Sequence, residues 1–348
     1  AYKSARVSEN AINRARTQAA RLIGARPDEI YFTSGGSESD NWAIKSFSRS
    51  IRKKRMGASC HIITTSIEHN AVLNSCRTLE SEGFTVTYLP CDKYGFIHPE
   101  TLQAAIRDDT ILISVMAANN EVGSIQPLKA IGQIARRHQI VFHTDAVQAY
   151  GHIPINVNEC MIDMLSMSAH KLHGPKGVGF LYIRNGLELP SYIDGGSQEN
   201  GHRAGTSNVP GIVGLGKACE IAARNMQKNI NSMTRLRNRL IYQIRQGLPN
   251  AVLTGSEQMR LPNNVSFCFP GVESAQLLSI LDSHGICASA GSACSTGAAG
   301  PSHVLIAMGI DYNLAGGSLR LTLSSENTMQ EVDFVAETVI KTVKRLSV

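Results

Sequence analysis

The eight cysteines of this 348-residue chain never form a C-x-x-C pair, which excludes both a zinc knuckle and a disulfide framework. Their scatter fits reduced thiols, several of them core residues. No apolar run approaches the ~18 residues that a membrane-spanning helix needs. The first residues also lack the charged, then apolar, then small order of a secretory leader, so a cytoplasmic location is expected. Neither a G-x-G-x-x-G turn nor a Gly-Lys-Ser/Thr phosphate loop is present, which removes the dinucleotide and nucleoside-triphosphate fingerprints. Charge of one sign is in modest excess, +6 overall. The densest basic run, RSIRKKR at 49–55, has no interleaved aromatics and reads as a solvated helix end rather than a nucleic-acid surface. There is no repeat and no low-complexity stretch.

What is present suits a globular enzyme. Hydrophobic residues make up 43% of the chain, aromatics only 5%, and 30 glycines are dispersed through it, the balance of an α/β protein long enough for a large domain and a smaller partner. Short apolar runs at 29–33, 61–65, 85–89, 110–116, 140–144, 164–167 and 178–183 alternate with helical patterns such as 71–81 and 128–138. That alternation predicts a mainly parallel sheet covered on both faces, with chemistry gathered at the carboxyl ends of its strands. A long helical pattern at 213–246 leads to strands at 264–269 and 319–323 and helices at 274–284 and 329–346. The expected domains are therefore a large α/β unit over 1–222 and a small α+β unit over 223–348.

Several strand ends carry polar groups. Ile162 to Lys171 (IDMLSMSAHK) runs from an apolar strand into Ser168, His170 and Lys171; such a lysine is either a turn residue or a desolvated amine nucleophile. Asp145 ends the run IVFHTD, with Gln148 three residues on. It suits an N-cap or a partner for a protonated pyridine nitrogen. The segment TSGGSES, with Gly36 and Ser37, follows a strand and starts a helix, the setting of a plain tight turn or of a single-phosphate cradle. His69 in SIEHN can be structural, stack on a flat cofactor or move protons. The NNE cluster containing Asn120 is either turn chemistry or part of a site. Cys294 lies among small residues in SAGSACSTGAAG, a composition of exposed, adaptable loops rather than of cores, with no second metal ligand nearby.

Taken in order, TSGGSES, SIEHN, NNEVG, HTDAVQ, SAHKLHGPKG, GGSQENGHRAGT and SAGSACST resemble the cysteine desulfurases of the NifS and IscS type, over nearly the whole chain. The resemblance implies the type I aminotransferase fold, a homodimer, and pyridoxal 5'-phosphate as cofactor. It implies that Lys171 holds the cofactor, Asp145 faces its pyridine nitrogen and His69 stacks on its ring. Gln148 and Asn120 are expected near its phenolic oxygen, and Gly36, Ser37, Ser168 and His170 around its phosphate. Thr206, from HRAGT, is expected to reach the neighbouring subunit's cofactor, and Arg320 to anchor the carboxylate of L-cysteine through its bidentate guanidinium.

Cys294 matches the family's persulfide-bearing cysteine, which passes sulfur to a transient acceptor protein for iron–sulfur cluster assembly or another pathway. The chain starts after the family's D-x-A-A-T-T stretch and stops without the carboxyl-terminal extension by which some members dock a scaffold. The amino-terminal part of the small domain is accordingly expected to be absent. Selenocysteine lyase and a catalytically silent sulfur-delivery subunit stand as the alternative readings.

Overall fold

The computed structural model describes residues 3–291 and 300–347. Two compact units divide them: the first comprises 1–89, 97–117 and 126–226, the second 90–96, 118–125 and 227–348.

The first unit is built on a seven-stranded sheet of β1 (Ile30–Thr33), β2 (His61–Thr65), β3 (Thr85–Leu89), β4 (Thr110–Ser114), β5 (Val141–Asp145), β6 (Met164–Ser168) and β7 (Gly179–Ile183), ordered β1-β7-β6-β5-β4-β2-β3. Pairing is parallel from β3 through β6, while β7 runs antiparallel to both β6 and β1. Strands β2, β4, β6 and β7 are buried along their whole length, as expected where helices cover both faces of a sheet. Trp42, Phe47, Val72, Leu79, Phe84, Leu112 and Leu181 join in one apolar cluster of this layer. Some of the polar groups that the strands bring inside are paired. His61 of β2, for example, bonds Thr110 and Thr87, both at 2.8 Å.

Register decides which residues meet. Thr33 of β1 pairs with Gly179, and Gly179 with Ser168 of β6, so β1, which runs parallel to β6, ends at the same sheet edge. Asp145 of β5 pairs with Ser166 two residues earlier on β6. One edge thereby collects the carboxyl ends of β1, β5 and β6. Gly179 is required there by space: a Cβ would stand 2.3 Å from the Met167 carbonyl and 2.7 Å from Gly35 Cα, both backbone atoms. Gly179→Ala is expected to lower unfolding free energy by about 1–3 kcal/mol, the usual result of forcing extra atoms into a packed interior. A urea midpoint unchanged from the parent would contradict this.

The second unit has a three-stranded antiparallel sheet ordered β10-β9-β8, from β8 (Val252–Leu253), β9 (Asn264–Cys268) and β10 (Ser318–Thr322). Val265, Phe267, Leu319 and Leu321 pack with Leu277 and Leu281 from the helix Ser274–Ser283 and with Val332, Val339 and Val343 from the helix Met329–Leu346. Thr328 opens the latter helix with a capping box: its side chain accepts from Glu331 N, and the Glu331 carboxylate accepts from Thr328 N, the sequence signature S/T-x-x-E. The helix Val209–Gly247 runs through the boundary at residue 226. No helix among the described residues is long and apolar enough to cross a membrane.

Candidate active site

Three elements of the first unit set up the site. After β1 the chain turns at Gly35, whose φ of 151° and ψ of −175° lie in a region kept for glycine, and enters the helix Gly36–Asn41. Thr33 Oγ1 accepts from Gly35 N at 3.3 Å, and Glu38 accepts from Ser34 N at 2.8 Å, pinning the turn. At Gly36 a Cβ would lie 2.6 Å from Val147 Cγ2, and one at Gly35 would lie 3.4 Å from Ser168 Oγ. The two glycines thus let a backbone turn approach the ends of β5 and β6. Ser37 and His170 are exposed and Ser168 is buried.

At the end of β5, Asp145 is 6% exposed, and its Oδ1 accepts from Val147 N at 2.9 Å. Gln148, half-buried, follows on the next turn. Burial raises the Asp145 pKa, while the Val147 amide and the charges of His69 and Lys171 oppose that rise. Lys171 stands half-buried in the 3₁₀ turn Ala169–Leu172 that follows β6. Its carbonyl bonds His152 Nε2 at 2.8 Å, and the left-handed His173, φ 59°, closes the turn.

His69 caps the helix Asn70–Ser81. Its Nδ1 accepts from Ala71 N at 3.2 Å. One ring nitrogen of His69 and one carboxylate oxygen each of Asp145 and Asp40 lie within 4.8 Å of one another. The structure therefore brings together Asp145, His69 and Lys171, and beside them Gly36 and Ser168.

Sequence reasoning missed three groups here. Asp40, inside the polar segment SESDN, is 1% exposed. Glu68, in SIEHN, is fully buried. Its Oε1 accepts from Thr65 Oγ1 at 2.8 Å and from Met116 N at 2.9 Å, tying the ends of β2 and β4, and burial pushes its pKa up to about 8. The third is Arg203, whose guanidinium grips Glu38 with two bonds of 2.8 and 3.1 Å. Burial pushes Glu38 upward, but the Arg203 fork and the Ser34 bonds prevail and hold it below the usual carboxylate range. Thr206, exposed, shares a cavity of about 70 Å³ with Thr33, Ser34 and Arg203 of its own chain.

In the second unit, Arg320 on β10 donates from Nη1 to the Asn120 carbonyl at 2.8 Å. Its backbone exchanges hydrogen bonds with Ser289. The buried Glu121 accepts from Ser302 Oγ, and a Cβ on Gly291 would stand 3.0 Å from its Oε2. Cys294 lies outside the described residues.

The class-V aminotransferase profile matches residues 2–335. The chain belongs to that family. Among curated class-V relatives, cysteine desulfurase IscS of Methanosarcina thermophila is 52% identical over 345 residues, 99% of this chain and 84% of the relative. IscS of Clostridium botulinum is 50% identical over 346 residues, 99% and 86% of the respective chains. Mouse cysteine desulfurase is 46% identical over 341 residues, 97% of this chain and 73% of the mouse protein. Among solved structures, a NifS-like protein superposes with a TM-score of 0.91 at 38% identity, covering 99% of this chain and 90% of that one. The fold is that of the type I aminotransferases, and the expected fold class holds. The β7 strand makes the sheet mixed, as a mainly parallel sheet allows.

Class-V aminotransferases work with pyridoxal phosphate, and this first unit fits that group. A buried carboxylate anchored by a backbone amide suits a cationic ring nitrogen, a half-buried lysine lies within electrostatic reach of it, and a glycine turn in which a Cβ would clash opens beside Ser168.

Proposed function

We propose that the chain is a cysteine desulfurase that converts L-cysteine to L-alanine and leaves the sulfur as a persulfide on Cys294. The observation that carries this reading is the meeting of Asp145, His69 and Lys171 at one sheet edge, taken with relatives of that name at about half identity over almost the whole chain.

Pyridoxal phosphate, when bound, supplies an electron sink that makes the Cα–H bond of an attached amino acid acidic. The chain's own residues do the rest. Lys171 holds the cofactor, takes the Cα proton and returns it. Asp145, whose Oδ1 accepts from the Val147 amide, would face the ring nitrogen, and His69 would cover the ring. Gly36, Ser37, Ser168 and His170 hold the phosphate. Gln148 and Asn120 serve the phenolic oxygen, and Arg320 the substrate carboxylate.

The Cys294 thiolate attacks the substrate sulfur: a sulfur–sulfur bond forms as the carbon–sulfur bond breaks, the departing electron pair stays with carbon, and a proton added there completes alanine. In this reading the expected domain over 1–222 carries the cofactor, and that over 223–348 carries Cys294, whose small sequence neighbours suit a sulfur carrier that must visit two places. The working form in this reading is a cytoplasmic homodimer with Thr206 lent to the neighbouring cofactor. The persulfide goes to a transient acceptor protein, for iron–sulfur cluster assembly or another sulfur-transfer pathway.

Cys294→Ser, assayed with cysteine and with selenocysteine, tests the assignment. The expected result is loss of persulfide formation from cysteine with cofactor binding intact. Unimpaired turnover of cysteine would overturn the role of Cys294, and activity on selenocysteine alone in the parent protein would make it a selenocysteine lyase.

A further inference from the structure

Asp40 has no part in the chemistry above, yet it is one of the most completely buried acids in the chain. It is 1% exposed, and its Oδ1 makes no hydrogen bond. One of its carboxylate oxygens lies within 4.8 Å of an Asp145 oxygen and of a His69 ring nitrogen. The cation-capable group on its other side, His143 Nε2, is 3.7 Å from Oδ1, beyond hydrogen-bond length. Both nitrogens of that buried ring are already matched by serines: Nδ1 with Ser114 Oγ at 2.8 Å and Nε2 with Ser166 Oγ at 3.0 Å. His143 is consequently neutral, its pKa pushed down to about 3 by burial, and it does not balance an Asp40 charge.

Two carboxylates this close in a buried site cannot both be ionised without a large repulsive cost. What differs between them is their surroundings. Asp145 has the Val147 amide and the positive ends of His69 and Lys171 to favour its anion. Asp40 has the Ser166 hydroxyl in its favour, and against it burial, Asp145 and Glu68.

We propose that Asp40 is a positioning residue that stores a proton beside Asp145, so that the pair carries a single negative charge and that charge sits on the oxygen set facing the cofactor ring. The proposal rests on the functional reading only in naming the ring as what Asp145 faces; the stored proton belongs to the protein alone. A doubly charged pair would repel its own members and loosen Asp145. With Asp40 neutral, Asp145 is the single anion of the pocket, and its direction is set by the Val147 amide.

The sign of the pH effect follows. Asp40 and Glu68 both have raised pKa values in the folded chain. The stability that their protonated forms contribute is present in acid and is lost as pH rises through those raised values. Removing the Asp40 carboxyl should therefore flatten the loss of melting temperature between mildly acidic and alkaline pH.

The test is infrared spectroscopy of the full chain at pH 7, with and without pyridoxal phosphate, on the parent, Asp40→Asn and Glu68→Gln. The expected result is a protonated-carboxyl band in the parent that survives in Glu68→Gln, persists when the cofactor is added, and is diminished in Asp40→Asn, which retains the cofactor. Absence of the band in Glu68→Gln would overturn the proposal and, being read on a variant that keeps Asp40, does so even where Asp40→Asn does not fold. Disappearance of the band on cofactor binding would move the proton to Asp145 and also overturn it. Failure of the parent to bind pyridoxal phosphate would sink the functional reading instead, and the band of the cofactor-free Glu68→Gln protein would still decide on Asp40.

Discussion

Lys171→Ala is expected to form alanine from cysteine at least about 10⁴-fold more slowly than the parent, because in the proposed reading one substitution removes both the attachment point of the cofactor and the base that moves the Cα proton. The position supports the double role. Lys171 sits in the short turn after β6, half-buried, and it lies close enough to Asp145 to influence its ionisation. The fold should be unaffected, since the turn is held by backbone bonds from Ala169 N to Val178 O and from Gly174 N to Ala169 O. Far-ultraviolet dichroism and melting temperature unchanged, with the visible absorbance of the lysine-linked cofactor gone, is the expected pattern. Residual activity within tenfold of the parent would show that another group carries the proton.

Asp145→Ala should be nearly as severe, lowering turnover by about 10²–10⁴-fold, the scale seen when a buried electrostatic or proton-transfer partner is removed. Two effects add. In the proposed reading the ring nitrogen would lose the anion that keeps it protonated, which would weaken the electron sink, and the cofactor would lose a charge-assisted contact. The second effect should appear as faster cofactor loss on dialysis, so rates measured at saturating pyridoxal phosphate separate the two. Asp145→Glu, which restores the charge on a longer side chain, should recover part of the loss. A variant lacking the carboxylate that turned over at the parent rate would remove Asp145 from the mechanism.

Much of the architecture is legible from the amino acids, and for a physical reason. Strands covered on both faces are written as unbroken β-rich runs, so 61–65 coincides with β2 as observed, and a capping box announces the helix Met329–Leu346. The helix Lys3–Leu22, whose buried residues include Ala15, Ala19 and Ala20, has no counterpart among the elements read from the sequence. The antiparallel direction of β7 also has no local signature: direction is set by the short connection from β6, not by strand composition.

The candidate site divides in the same way. Asp145, Lys171 and Gly36 stand at strand ends, where topology alone concentrates function. Asp40 and Glu68 lie in polar segments, and their burial comes from the packing of helices onto the sheet, which a polar string does not reveal. The pairs Arg203–Glu38 and Arg16–Glu199 join residues 165 and 183 positions apart, a pairing set by topology alone. Cys294 was read from composition and motif alone.

The most direct measurement of the central claim is a single-turnover reaction of the protein, loaded with pyridoxal phosphate, with L-cysteine, quenched and split between amino-acid analysis and peptide mass spectrometry. The expected result is alanine and persulfide in equal amounts, with the added sulfur on the peptide containing Cys294. Bound cofactor without alanine, or alanine with the sulfur on another cysteine such as the exposed Cys287, would contradict it.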